Sequence, residues 1–401
     1  MGRKAFSLFW LAPALALLAS CETLMTAPPP EDSLLDGPVE GLTTEQSGQF
    51  LRGDVAFNDE VFTSATGLGP LFVSNSCGSC HAGDGKGHPT TTLTRFGQVD
   101  STGNPFAGRQ GPQLQHRALP GFAPEVLPAG VVHSRFTPPA NTGLGFLDAV
   151  PDDALLALAD PHDRDGDGIS GRPNWITVPD YATLRPAARP RAGKYIGRFG
   201  KKAAAYDLLH QTASAYNQDM GVISFFEDRD PNTHNVLDPE VSNQKVQDVV
   251  AYLKFLKAPQ PRGTEQASVS VLAGEQLFVQ VGCGKCHTPE LRTGDSPVAA
   301  LADRPVRAYT DLLLHDMGPG LNDGYTEGSA QPAEWRTPPL WGLGLSPNSQ
   351  GGSYFLLHDG RARSIEAAIA QHGGEATGSR DRYDRLSAAE QRQLVDFLKS
   401  L

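Results

Sequence analysis

The sequence has no cysteine to spare, very little methionine, no surplus of positive charge and no long hydrophobic run, and each shortage narrows its function. Its five cysteines are Cys21, the pair Cys77 and Cys80, and the pair Cys283 and Cys286, so none is left over for a disulfide framework. Of its four methionines, only Met220 and Met317 lie beyond the first 38 residues. Acidic residues outnumber basic ones by 45 to 34, for a formal charge of -11, which argues against nucleic acid or an anionic lipid surface as partner. The same acidity suits a basic redox protein. Hydrophobic residues make up 39% of the chain, an ordinary share for a globular protein able to bury a core. The longest apolar run, from Ala5 to Ala19, is too short to span a bilayer comfortably.

That run follows Arg3 and Lys4 and ends in Leu18-Ala19-Ser20-Cys21, so residues 1–20 read as a lipoprotein signal peptide with lipid attached to Cys21 after cleavage. An ordinary secretory site that happens to contain a cysteine is the plainer alternative. Loss of Arg3 and Lys4 with the leader takes the formal charge from -11 to -13. Residues 21–38, with Pro28-Pro29-Pro30 among them, have the composition of an extended tether. The expected location is periplasmic, anchored to a bacterial membrane by lipid and not spanning it.

The other four cysteines form Cys77-Gly-Ser-Cys80-His81 and Cys283-Gly-Lys-Cys286-His287. In such a motif two thioethers hold a porphyrin edge and the adjacent histidine faces the iron, so two covalent haem c groups are expected. A four-cysteine zinc site or two redox disulfides would use the same pairs, but neither requires a histidine directly after each.

The periodicity predicts a mainly α chain, with two cytochrome c-like haem domains and a long loop-rich insertion in the first. The N-terminal domain spans residues 39–258 and the C-terminal domain 264–401, with a boundary near Lys257 to Gly263. In the second domain an apolar helical run, Ala273 to Val281, leads into the motif. A closing helix carries Leu394, Phe397, Leu398 and Leu401 on one face, behind a capping box of Ser387 and Glu390. In the first domain Leu71 to Val73 reads as the approach, and Val246, Val249, Val250 and Leu253 line the closing helix, which Pro259 and Pro261 end. Between them, proline and glycine predict loops with short helices. An echo, RFTPPANTGLG from Arg135 and RTPPLWGLG from Arg336, supports duplication.

With these elements and YFLLHDGRARSIEAAIAQHGGEA from Tyr354 in view, the mature chain resembles over nearly its whole length the di-haem oxidoreductases related to bacterial di-haem cytochrome c peroxidases. GRFGKKAAAYDLLHQTASAYNQDMG from Gly197 and DLLLHDMGPGL from Asp311 are similar to further family segments. The resemblance implies an enzyme that reduces hydrogen peroxide with electrons from a small cytochrome or copper protein. It makes His287 the proximal ligand of an electron-entry haem and His81 that of a peroxidatic one. It also places a sixth ligand, usually methionine, fourteen residues after the histidine of the HDG motif, which lands on His372. Read from the residues alone, Ile365, Ala368, Ile369 and His372 share one helical face that stops at Gly373-Gly374, and a histidine on such a face is commonly a core residue. Met317 is the rival iron ligand, and Met220 shares its Asp-Met-Gly context.

At the first haem the relatives' acid-base glutamate follows a DGRA-type segment that is missing here. GLGFLDAVPDDAL stands in that region, making Asp148 and Asp152 the catalytic candidates, against a capping or surface role. His116 and His133 are candidates to close the iron, against ordinary loop positions. Separately, Asp163, Asp165 and Asp167 precede Gly168 with the spacing of a calcium loop, although its twelfth position is Asn174 and not glutamate. Trp175 is either a conduit between haems or simple packing. Two other function classes stay open: a non-enzymatic electron-transfer lipoprotein, and an oxygenase or protein-oxidising enzyme on the same scaffold.

Overall fold

Ten α-helices carry the architecture of the described residues: α1 (Thr44–Asp54), α2 (Leu144–Ala149), α3 (Asp152–Leu158), α4 (Leu208–Met220), α5 (Asn243–Phe255), α6 (Val269–Gln280), α7 (Ser346–Ser349), α8 (Ile365–Ala370), α9 (Thr377–Asp384) and α10 (Ala388–Ser400). The computed structural model describes residues 35–96, 113–260 and 269–401, with Gly2. The leader, Cys21, tether residues 21–34 and the part of the expected boundary from residue 261 lie outside them.

Helix ends follow local chemistry. Thr43 and Gln46 cap α1 reciprocally, at 3.2 and 2.9 Å, and Ser387 and Glu390 do the same for α10. Asp207 accepts from the backbone of His210 at 2.8 Å to start α4, which stops at Gly221 in the left-handed conformation.

Two helix crossings frame the molecule, and both depend on a glycine. A Cβ on Gly53 of α1 would lie 2.0 Å from the Asp248 carbonyl oxygen of α5, and one on Gly274 of α6 would lie 2.0 Å from that of Gln393 in α10. Only the missing side chain lets the backbones meet so closely. Arg52 adds a fork to Asp248, with both nitrogens at 2.9 Å. The crossing of α6 on α10 pairs the apolar run before the second motif with the closing helix. Before the first motif the structure corrects the expected helical approach: Leu71–Phe72 is a short strand paired with Arg117–Ala118, and the helix that crosses α5 is α1. Its sequence, TEQSGQFLRGD, buries only Phe50 and Gly53, so it carries little apolar pattern to read.

The described residues between the first motif and α4 run as loops, short helices and two-stranded antiparallel pairs such as Leu93–Phe96 with His133–Phe136. Residues Leu35–Leu401 form one compact unit. The largest core joins Leu147, Val249 and Leu256 to Leu291, Leu301 and Leu313, so the segment after the second motif packs under the first. A second core gathers Leu277, Phe278, Ile365, Leu394, Phe397 and Leu398 around α6 and α10. The sequence echo is structural: Gly143 and Gly342 both adopt positive φ, at 71° and 66°, and each opens a helical turn.

Candidate functional site

Each cysteine-histidine motif is a single turn. His81 N–H donates to the Cys77 carbonyl at 3.0 Å, and His287 N–H to that of Cys283 at 3.0 Å, which gathers two thiols and an imidazole at one side of the backbone. Both imidazoles are then anchored alike. His81 Nδ1 lies 3.1 Å from the Pro139 carbonyl and His287 Nδ1 lies 3.0 Å from that of Tyr309. A carbonyl only accepts, so Nδ1 carries the proton and Nε2 keeps its lone pair for a metal. Burial lowers both histidines to about 4, keeping them neutral ligands. It also pushes the Cys77 and Cys283 thiols up to about 12, away from free thiolate chemistry.

One continuous cavity is lined by Cys77, Cys80, His81, Cys283, Cys286 and His287. The cysteines do not converge on a zinc site. Among the described residues, the group of three or more histidine, cysteine or carboxylate ligands close enough to share an ion is Asp163, Asp165 and Asp167.

The two motifs have different company. His372, just beyond α8, lines the cavity, and its Nδ1 donates to the Ala368 carbonyl at 2.7 Å, which leaves its Nε2 available. It lies near enough to His287 for a charge on one to act on the other. Met317 also lines the cavity but packs against the cluster of Phe136, Leu321, Tyr325 and Trp335. No histidine bears on His81 in this way among the described residues. The cavity there is lined by one face of α4, with Leu208, Gln211, Thr212, Ala215, Tyr216 and Asp219 at helical spacing. Met220, at the end of the same helix, also lines the cavity and packs with Phe62, Leu68 and Val222 in a cluster that Cys77 touches. His116 and His133 are exposed and outside the cavity lining.

Asp148 and Asp152 do not line the cavity either. Asp152 is fully buried against Arg198 at 2.6 Å, and Asp148 pairs with Arg185 at 3.4 Å and Lys254 at 3.5 Å. Carboxylates held in this way by cations serve the core, and the geometry removes them as proton donors to the cavity. The one carboxylate among the lining residues is Asp219, which the sequence reading missed. Burial raises it to about 6, against a hydrogen bond from Gln113. Its signal was faint: a single aspartate just before the last residue of α4.

Beside the second motif, His315 sits between Asp311 and Glu375, at 2.8 Å from each, and its Nδ1 lies 3.6 Å from Cys286 Sγ. Burial opposes its charge, but the hydrogen bonds to Asp311, Cys286 and Glu375 overcome that and hold it well above the ordinary histidine range. Glu375 also accepts from Ser170 N and Oγ at 3.0 and 2.6 Å, and Lys285 reaches Asp167 at 2.8 Å. The aspartate loop is thus docked on the second motif. Asn174 is engaged elsewhere, by Lys202, Glu327 and Ser329, and is no twelfth ligand. Trp175 packs against the first core, so the packing reading holds for it; the lining tryptophans are Trp335 and Trp341. Trp335 stacks on His358 at 3.7 Å.

A family model described as "Di-haem oxidoreductase, putative peroxidase" matches residues 131–401. The chain belongs to the di-haem oxidoreductase family. Haem is therefore its cofactor, and the shared cavity has a motif for each of two. Among solved structures, hydrazine synthase from Kuenenia stuttgartiensis is similar at 14% identity and a TM-score of 0.42, covering 100% of both chains. A MauG-like protein associated with microbial copper homeostasis is similar at 17% identity and a TM-score of 0.31, over 65% of this chain and 88% of that one. No curated protein matches.

Proposed function

We propose that this di-haem oxidoreductase is exported, anchored by lipid on Cys21, and reduces hydrogen peroxide at a covalent haem c held by Cys77, Cys80 and His81. Electrons come from a small cytochrome or copper protein by way of a second haem c held by Cys283, Cys286 and His287. The observation that carries this reading is the unequal company of the two proximal histidines. His287 has a second imidazole, His372, in its part of the cavity, whereas the part at His81 has a helix face with Gln211 and Asp219.

The residues present fit the groups: two thiols and an imidazole on one turn, with Nδ1 anchored, in a largely apolar cavity. Bound there, haem supplies the redox chemistry. The chain supplies the rest. Pro139 and Tyr309 carbonyls fix the ring planes and raise the basicity of Nε2. His372, with Nε2 free, would be the residue available to hold the iron of the second haem, while the α4 face would give a small substrate access to the first. Reduction of hydrogen peroxide breaks its O–O bond and consumes two electrons and two protons, giving two waters. Asp219, held by Gln113 and raised by burial, takes a proton from one peroxide oxygen and returns it to the other. Asp163, Asp165 and Asp167 bind calcium in this reading and brace the loop that Lys285 and Glu375 tie to the second motif.

The test is peroxide consumption by the holoprotein with a pre-reduced small cytochrome, alongside intact mass for the haem count. Turnover with two haems per chain is expected; two haems without turnover under any donor would leave an electron carrier.

A further inference from the structure

The cavity that joins the two motifs is strongly cationic in an acidic protein. Five side-chain cations and one carboxylate line it. Arg198 is paired with Asp152 at 2.6 Å and Arg380 with Asp381 at 2.9 Å, but Lys86, Lys201 and Arg336 have no ion-pair partner among the described residues. The nearest acidic influences on them are Asp359 for Lys201 and Asp311 for Arg336. Like charges gathered away from water without a counterion are costly, and a chain that keeps three of them together has an anion to receive.

These cations are held in place by their backbones. Arg336 N–H donates to the Lys201 carbonyl at 3.0 Å. The Arg336 guanidinium is fixed by the Gly200 carbonyl at 2.9 Å and the Thr337 carbonyl at 3.1 Å, which leaves Nη2 without a bond. Lys86 is steadied by Ser349, whose hydroxyl donates to its carbonyl at 2.8 Å. The charges of Lys86 and Arg336 both act on Lys201, and a guanidinium edge near two ammonium groups suits a carboxylate. The cluster belongs to the first motif: Lys86 follows His81 by five residues, and the charge on Lys201 bears on His81.

We infer that Lys86, Lys201 and Arg336 form a carboxylate cradle for the propionates of the haem on Cys77 and Cys80. The inference rests on the haem reading above and goes beyond it by assigning the acid groups of one haem to three residues. Burial lowers Lys201 to about 7 and Lys86 to about 8 without a ligand, the cost that a bound carboxylate removes. A free small carboxylate offers the same chemistry, and the experiment separates the two sources.

The experiment compares full-length holoprotein with Lys86→Gln/Lys201→Gln and Lys86→Arg/Lys201→Arg variants by spectroelectrochemical titration, with haem counted by mass. Positive charge beside a haem favours its reduced form. The glutamine pair should therefore lower the midpoint potential of the first haem, leave the second unmoved and retain two haems, while the arginine pair should restore the potential. Acetate added to the parent should give no saturable change at the first haem, because the cradle is already filled. A first-haem potential indifferent to the glutamine pair, or a saturable acetate response that this pair abolishes, would overturn the cradle while leaving the haem reading intact. Fewer than two haems in the parent protein would overturn the haem reading itself, and the cradle with it. If the double variant does not fold, Lys86→Gln alone should give part of the same shift, and no shift would overturn the assignment.

Discussion

The two motifs share a turn, a carbonyl-anchored histidine and a glycine-mediated helix crossing, yet differ in nearly everything that faces the iron. Pro139 serves His81 from within the TPP element, whereas Tyr309 serves His287 from a neighbouring segment that the second TPP element holds, through Leu340 N–H to the Ala308 carbonyl at 3.0 Å and Thr310 Oγ1 to the Thr337 carbonyl at 2.6 Å. The second motif has another imidazole, His372, in its part of the cavity and a buried His315 with two carboxylates beside it. The first has a helix face, one acid and three cations with no ion-pair partner among the described residues. Attachment is the same problem at both ends, so it has the same solution. In the proposed reading reactivity is set by what else surrounds each motif's histidine, and there the two motifs differ.

The comparison breaks most severely at Asp219. Asp219→Asn should reduce peroxide turnover by about 10²- to 10⁴-fold, the usual worth of a positioned acid-base group, with both haems retained. With Asp219 near 6 and needed ionised to accept the first proton, parent kcat/KM should fall as pH drops through about 6, and steady-state assays of the variant should lose that limb. An unchanged profile would take the acid-base role from Asp219.

How far the comparison was legible in the sequence follows from the range of the interactions. The two motifs, α5, α6, α10 and the Ser387 cap are local patterns, and each stands where its period or spacing puts it. α1 was hidden because its crossing depends on one glycine and one phenylalanine. Asp219 and the pairing of Asp152 with Arg198 were hidden because whether a carboxylate meets a cation or a cavity depends on residues far along the chain. The convergence of Asp163, Asp165 and Asp167 was legible from their spacing, but the docking of their loop through Lys285 and Glu375 was not.

Smaller effects sharpen the comparison. Gly53→Val and Gly274→Val should each cost about 1–3 kcal/mol or somewhat more by overpacking a helix crossing. Because the first core draws on both halves, thermal unfolding of the Gly53 variant should disturb both haem spectra together, whereas the Gly274 variant should loosen the second haem first. Simultaneous loss in both variants would mean that the second core has no independence. Chelation, or Asp165→Ala, should have the mildest effect, slowing electron transfer between the haems with little change in melting. A protein indifferent to both treatments would make the aspartate loop a turn docked by Lys285.

The central claim is that one iron is closed by His372 and the other is open, and electron paramagnetic resonance of the oxidised holoprotein and its His372→Ala and His372→Met variants tests it most directly. The parent should show one low-spin bis-histidine haem and one high-spin haem. His372→Ala should convert only the low-spin signal, and His372→Met should raise the potential of that same haem, because a thioether favours ferric iron less than imidazole does. Two low-spin haems in every redox state, or a parent whose low-spin signal survives His372→Ala and vanishes with Met317→Ala, would contradict it.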